Sequence, residues 1–120
     1  MKTENLIVEK TFDFALQIIS FYIQLRDEKE FVLSKQLLRC GTSIGSNVEE
    51  SIAAQSKKDF INKMSIASKE ARETRYWLRL LDKSELTRLD CKIYLDEIEH
   101  IINIITKIII TSKKSLDKRN

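Results

Sequence analysis

Proline is absent from this 120-residue chain and glycine occurs only twice, at Gly41 and Gly45. With the two strongest helix breakers almost missing, little interrupts long helices anywhere in the sequence. Cysteine is limited to Cys40 and Cys91, which lie far apart with no CxxC spacing and no signal peptide ahead of them. The expectation is two reduced core thiols in a cytoplasmic protein. Long apolar runs are also lacking. The richest, Ile101 to Ile110, is broken by Asn103, Thr106 and Lys107, and it falls well short of the roughly 20 residues that a membrane span needs. Histidine occurs once, at His100, so a Ser/His/Asp or Cys/His arrangement has no visible home.

What is present is a chain of one-domain length, rich in Ile, Leu, Lys, Ser and Glu. With each residue advanced by 100°, the apolar positions resolve into four amphipathic segments. In the first, Ile7, Phe12, Phe14, Ala15, Ile18, Ile19, Phe21, Tyr22 and Leu25 cover about half the circumference, wider than one core requires. Arg26 to Glu30 forms a charged turn. A second segment follows with Leu33, Leu37, Cys40, Ile44 and Val48 on its core face. Ser56 with Asp59 three residues on resembles a capping box and opens a third segment, whose core face is Phe60, Ala67, Ala71, Leu78 and Leu81. Thr87 and Asp90 repeat the signal before a fourth, in which Cys91, Leu95, Ile98, Ile102, Ile105 and Ile109 line one side while Ile93, Ile101, Ile104 and Ile108 widen it.

The fold class expected is all-α, an up-and-down antiparallel four-helix bundle in a single domain spanning 1–120. Its helices are expected at about 5–25, 31–54, 57–81 and 88–114, with a basic tail at 113–120. Surplus apolar width on the first and fourth helices predicts a subunit interface, hence a homo-oligomer.

Charge is unevenly placed although the net value is only +3. Residues 57–83 hold eight Lys/Arg against four Asp/Glu and residues 113–120 hold four against one. Lys69, Arg72, Arg75, Arg79 and Lys83 fall within about 120° of the third helix, opposite its core face, with Tyr76 interleaved. A basic stripe beside an aromatic is the electrostatic footprint of a nucleic-acid binder. The plainer reading is a solvated face whose arginines pair with Glu70, Glu73 or a neighbouring acidic helix.

The second helix carries an odd stretch, Arg39 to Glu50, in which two glycines and several small polar residues sit inside an amphipathic pattern. Gly41 and Gly45 fall on one flank of the core stripe, while Gln36, Arg39, Ser43, Asn47 and Glu50 form a polar strip on the other. Close helix approach on the glycine side and hydrogen bonding or an interface on the polar side account for both. No GxxxxGK loop exists to hold phosphate. Glu97 and His100 form an E-x-x-H spacing, but a di-iron bundle needs two copies. No metal or cofactor is therefore expected, and the chain does not read as an enzyme.

The run Leu37 to Glu50, then Ser56-Lys57-Lys58-Asp59-Phe60, then Ile66 to Leu78, resembles the four-helix-bundle family of 23S rRNA intervening-sequence proteins. Its pattern reads approximately R-S-x-T-S-I-x-A-N-x-x-E, S-x-x-E/D-F and I-A-x-x-E-A-x-E-T. Thr42, Ser43, Asn47, Glu50, Phe60, Ala67 and Glu73 match, whereas Cys40 stands for a serine and Ser46 for an alanine. The resemblance implies an up-and-down bundle assembled as a ring-like pentamer. It also implies kinship with accessory proteins of diversity-generating retroelements, which bind a reverse transcriptase and nucleic acid. Expected partners are thus other copies of the chain, RNA or DNA, and a partner protein, with no membrane. Expected site residues are Lys69, Arg72, Arg75, Tyr76, Arg79 and Lys83 for nucleic acid, and Arg39, Thr42, Ser43, Asn47, Glu50 and Glu73 for a polar strip or interface.

Overall fold

The computed structural model describes residues 2–119, with side chains placed for 5–118. Four helices account for almost all of them, α1 (Lys2–Asp27), α2 (Leu33–Ile52), α3 (Lys57–Ser84) and α4 (Lys92–Arg119), with no strand among the described residues. Short connections force successive helices to run antiparallel. Each helix packs on two neighbours, in the cyclic order α1, α2, α3, α4 and back to α1, and the backbones of the diagonal pairs stay apart. The result is an elongated bundle of 53 × 22 × 22 Å.

The helix ends differ from expectation for local chemical reasons. Lys29 takes the left-handed conformation with φ 66°. Its N–H donates to the Arg26 carbonyl at 2.8 Å while the Glu30 N–H donates to the Leu25 carbonyl at 2.9 Å. This is a Schellman closure made without glycine. Glu30 then caps α2. Its carboxylate accepts from the backbone N–H groups of Leu33 at 3.0 Å and Ser34 at 2.6 Å, so α2 begins at Leu33 and not at 31. Asp90 does the same for α4 by accepting from the Lys92 N–H at 2.9 Å, which delays that helix from 88 to Lys92. Glu30→Ala would strip α2 of this cap and is expected to lower stability by about 1–2 kcal/mol, read as a shift in the urea midpoint with unchanged slope.

Along the bundle axis the expected faces meet. Ile7, Phe14, Ile18, Phe21 and Leu25 of α1 are buried against Leu37, Ile44 and Val48 of α2, Met64, Leu78 and Leu81 of α3, and Ile98 and Ile105 of α4. The fourth helix departs from expectation. Ile101, Ile102 and Ile108 are buried inside the bundle, and among its large apolar residues Ile93 and Ile110 stay exposed. Most of its surplus width is therefore used within the chain. On α1 the surplus remains outside: Phe12 is 61% exposed, Leu16 52% and Ile23 54%.

Both glycines sit where α1 packs tightly on α2. A Cβ at Gly41 would lie 2.9 Å from Ile18 Cγ2, and one at Gly45 would lie 3.3 Å from the Thr11 carbonyl oxygen. Ile18 is β-branched and stiff at χ1, so it cannot easily swing aside. Close helix approach is what the glycine flank provides.

Candidate nucleic-acid interface on the third helix

The rotation of α3 about its axis is set by its buried face. Ser56 caps it, accepting from the Asp59 N–H at 3.0 Å, and Met64, Ala67, Ala71, Thr74 and Leu78 turn inward. Buried Thr74 satisfies its hydroxyl by donating to the Glu70 carbonyl at 2.8 Å. The opposite side of the helix must then face water. Lys69, Arg72, Tyr76, Arg79 and Lys83 are all exposed there.

Arg75 sits apart from that ridge. It is half-buried toward α4, and its Nη1 donates to both carboxylate oxygens of Glu99, at 2.9 and 3.2 Å. Lys83 lies 3.8 Å from the adjacent Asp82 carboxylate, a loose contact that leaves the ammonium in water. Lys69, Arg72 and Arg79 make no ion pair among the described residues. The structure therefore brings together five of the six expected residues and assigns Arg75 to the α3/α4 seam.

The polar strip of α2 forms the other seam. Arg39 reaches across to α3, with Nη1 3.5 Å from Glu70 Oε2 and Nη2 bonded to Glu73. Glu73 also accepts from the Trp77 indole N–H at 3.0 Å. Lower down, Glu50 lies 3.7 Å from the Lys63 ammonium. Pairs this exposed are worth about 0.2–1 kcal/mol each, so they orient side chains more than they hold the bundle together. Ser43 and Asn47 bond within α2, Ser43 donating to the Arg39 carbonyl at 2.7 Å and Asn47 to the Ser43 carbonyl at 2.8 Å. Thr42 lies on the opposite flank and lines a groove of about 300 Å³ with Val8, Phe12, Leu16 and Gly45.

Three other expectations have definite places. Lys113, Lys114 and Lys118 are exposed on the last turns of α4, which continues as helix through Arg119 and not as a detached tail. The antiparallel pairing of Arg75 with Glu99 sets these lysines beside the start of α3, away from the ridge. The Arg119 side chain and Asn120 lie outside the described residues. His100 is exposed on α4, and Glu97 pairs with Lys10 of α1 at 3.2 Å. No cluster of three His, Cys, Asp or Glu suited to a metal ion occurs among the described residues, and no helix there is long and apolar enough to cross a membrane.

Two contacts escape sequence reasoning. The Glu30 cap was hidden in a turn that reads only as charged, and the Glu73–Trp77 bond follows from an i, i+4 spacing without any distinguishing motif. The acidic residue immediately ahead of a periodic apolar run was the available signal for the first.

Residues 3–108 match the family model described as 23S rRNA-intervening sequence protein. A crystal structure from the S23 ribosomal protein family of Bacteroides thetaiotaomicron VPI-5482, described as a protein with unknown function, superposes with a TM-score of 0.84 at 44% sequence identity. The match covers 89% of this chain and 97% of that one. No functionally curated protein matches significantly.

Proposed function

This chain belongs to the 23S rRNA-intervening sequence protein family, and from that premise we propose that it is a non-enzymatic, self-associating helical bundle that binds RNA or DNA through the outer ridge of α3. The observation that carries the proposal is the row of exposed cations, Lys69, Arg72, Arg79 and Lys83, gathered on one helix face around an exposed tyrosine. Unpaired cations attract phosphate by releasing the counterions condensed on it. Kinship with nucleic-acid-binding retroelement accessory proteins would agree with such a role.

Self-association is supported by α1. Phe12, Leu16, Ile19 and Ile23 recur at i, i+4, i+7 and i+11, the spacing of a coiled-coil seam, and all four are exposed in the single chain. A ring of copies, a pentamer on the family resemblance, would repeat the α3 ridge and raise a weak single-site affinity by avidity.

A scaffold that binds an acidic partner protein is the second reading. It draws on the same exposed cations, Lys69, Arg72 and Arg79, which would pair with carboxylates of a partner as Arg39 and Arg75 pair with Glu70, Glu73 and Glu99 within the chain.

Combined replacement of Lys69, Arg72 and Arg79 by alanine separates the two. Nucleic-acid affinity in fluorescence anisotropy at about 0.1 M salt is expected to fall at least tenfold. The log–log salt slope should shrink by about two for a single strand, with the particle mass by light scattering unchanged. Unaltered affinity and slope would remove the ridge from consideration.

A further inference from the structure

We infer that the α3 ridge is built for single-stranded nucleic acid, with a base stacked on Tyr76, and not for a duplex. This inference rests on the ridge reading above and adds the class of ligand. Lys69, Arg72, Arg79 and Lys83 lie within about 80° of the helix circumference, so the positive strip is one cation wide. From Lys69 to Lys83 it runs for about 21 Å. Ion pairs border it on both sides, Arg39 with Glu70 and Glu73 toward α2 and Arg75 with Glu99 toward α4. A duplex presents two phosphate strands separated by grooves about 6 and 12 Å wide. With one strand on the ridge, the other would lie over those seams, where Arg39 and Arg75 are already engaged by carboxylates and offer its phosphates no free cation. A single strand places one line of phosphates on the cations and meets no second row of charge.

Tyr76 occupies the middle of this strip, two helical turns from either end, and is 56% exposed. Arg72 and Arg79 flank it at i−4 and i+3, the positions that neighbour it on a helix surface. Its ring is held in place from one side. Trp77 meets it edge to face, with centroids 5.2 Å apart and planes at 68°, and Trp77 is itself fixed by the bond to Glu73 and by packing against the core. More than half of the residue's surface stays open to solvent. An immobilised aromatic surface between cations is the platform on which single-strand binders stack bases, and it is indifferent to sequence because every base has a π-face.

Trp77 is the sole tryptophan of the chain and touches the proposed platform, so its emission reports on the site directly. The full-length protein would be titrated with oligouridylate, oligothymidylate and RNA and DNA hairpin duplexes of matched length, following anisotropy and Trp77 emission together. Expected are affinities for the single strands at least tenfold above those for the hairpins, and a change in Trp77 emission on binding single strands. Tyr76→Ala and Tyr76→Leu should each lose about tenfold in single-strand affinity, while Tyr76→Phe stays within about twofold. Equal binding of hairpins, or an unaffected Tyr76→Ala variant whose binding still depends on Lys69, Arg72 and Arg79, would overturn the single-strand inference and leave the ridge reading standing. Absence of binding to every probe would overturn both.

Discussion

Replacing Phe21 by alanine is expected to cost about 3–5 kcal/mol, the range for removing a fully buried aromatic from a core that cannot collapse around the gap. The side chain is 1% exposed, and it does more than fill volume. Its ring stacks on Tyr94 of α4 with centroids 4.4 Å apart, so it joins α1 to α4 where the chain's first and last helices must close the bundle. For a chain of this size the loss corresponds to a drop in Tm on the order of 15 °C. A second readout distinguishes this contact from general loosening. Burial pushes the Tyr94 phenol above its ordinary ionisation range, and removing Phe21 admits water, so the absorbance titration of Tyr94 should move back toward lower pH. A loss below about 1 kcal/mol would mean that the α1/α4 seam repacks freely.

Alkaline pH is expected to destabilise the fold through its two thiols. Burial raises Cys40 and Cys91 from 9.0 to about 11, and neither side chain is more than 1% exposed. In the unfolded chain both thiols ionise near their ordinary value, whereas the folded chain keeps them protonated. Between pH 9 and 11 the unfolded state therefore binds fewer protons, and stability falls as pH rises. Each thiol withdraws up to about 1.4 kcal/mol per pH unit, so the two together account for on the order of 5 kcal/mol by the upper end of that window. Below pH 9 the contribution is intact. Urea unfolding of the wild type and of a Cys40→Ala/Cys91→Ala variant at pH 8.0 and at about pH 10.5 checks this. The variant should start less stable, from the lost packing, yet decline less with pH. Parallel declines would assign the alkaline loss to other groups.

These effects bear on how the ridge is presented. Ala67, Ala71 and Leu78 hold α3 at one rotation, and that rotation decides which cations reach water. The seams to either side then decide which of those cations remain available. Arg75 and Arg39 are spent on carboxylates of the same chain, while Lys69, Arg72 and Arg79 project between the seams. A basic residue count over 57–83 could not distinguish Arg75 from Lys69, Arg72 and Arg79, since all of them are arginine or lysine at helical spacing.

The sequence by itself determined the number of helices, the residues on most of their inward faces and the start of α3, because these depend on a repeat of 100° per residue and on short-range capping. Ile7, Phe14, Leu37, Ile44, Leu78 and Ile98 are buried for that reason, and Ser56 caps for that reason. Periodicity reports only the angle of a side chain about its own axis. Which neighbour occupies that angle was decided by the tertiary structure. It buried Ile101 and Ile108 of α4 inside the bundle yet left Phe12 and Leu16 of α1 outside, although both helices carry equally wide apolar arcs. It also drew Arg75 to Glu99, bound Trp77 and Arg39 to the same Glu73, and tightened a turn at Lys29 that no glycine announces. Each of these depends on distances between helices, which a residue's place along its own helix does not contain.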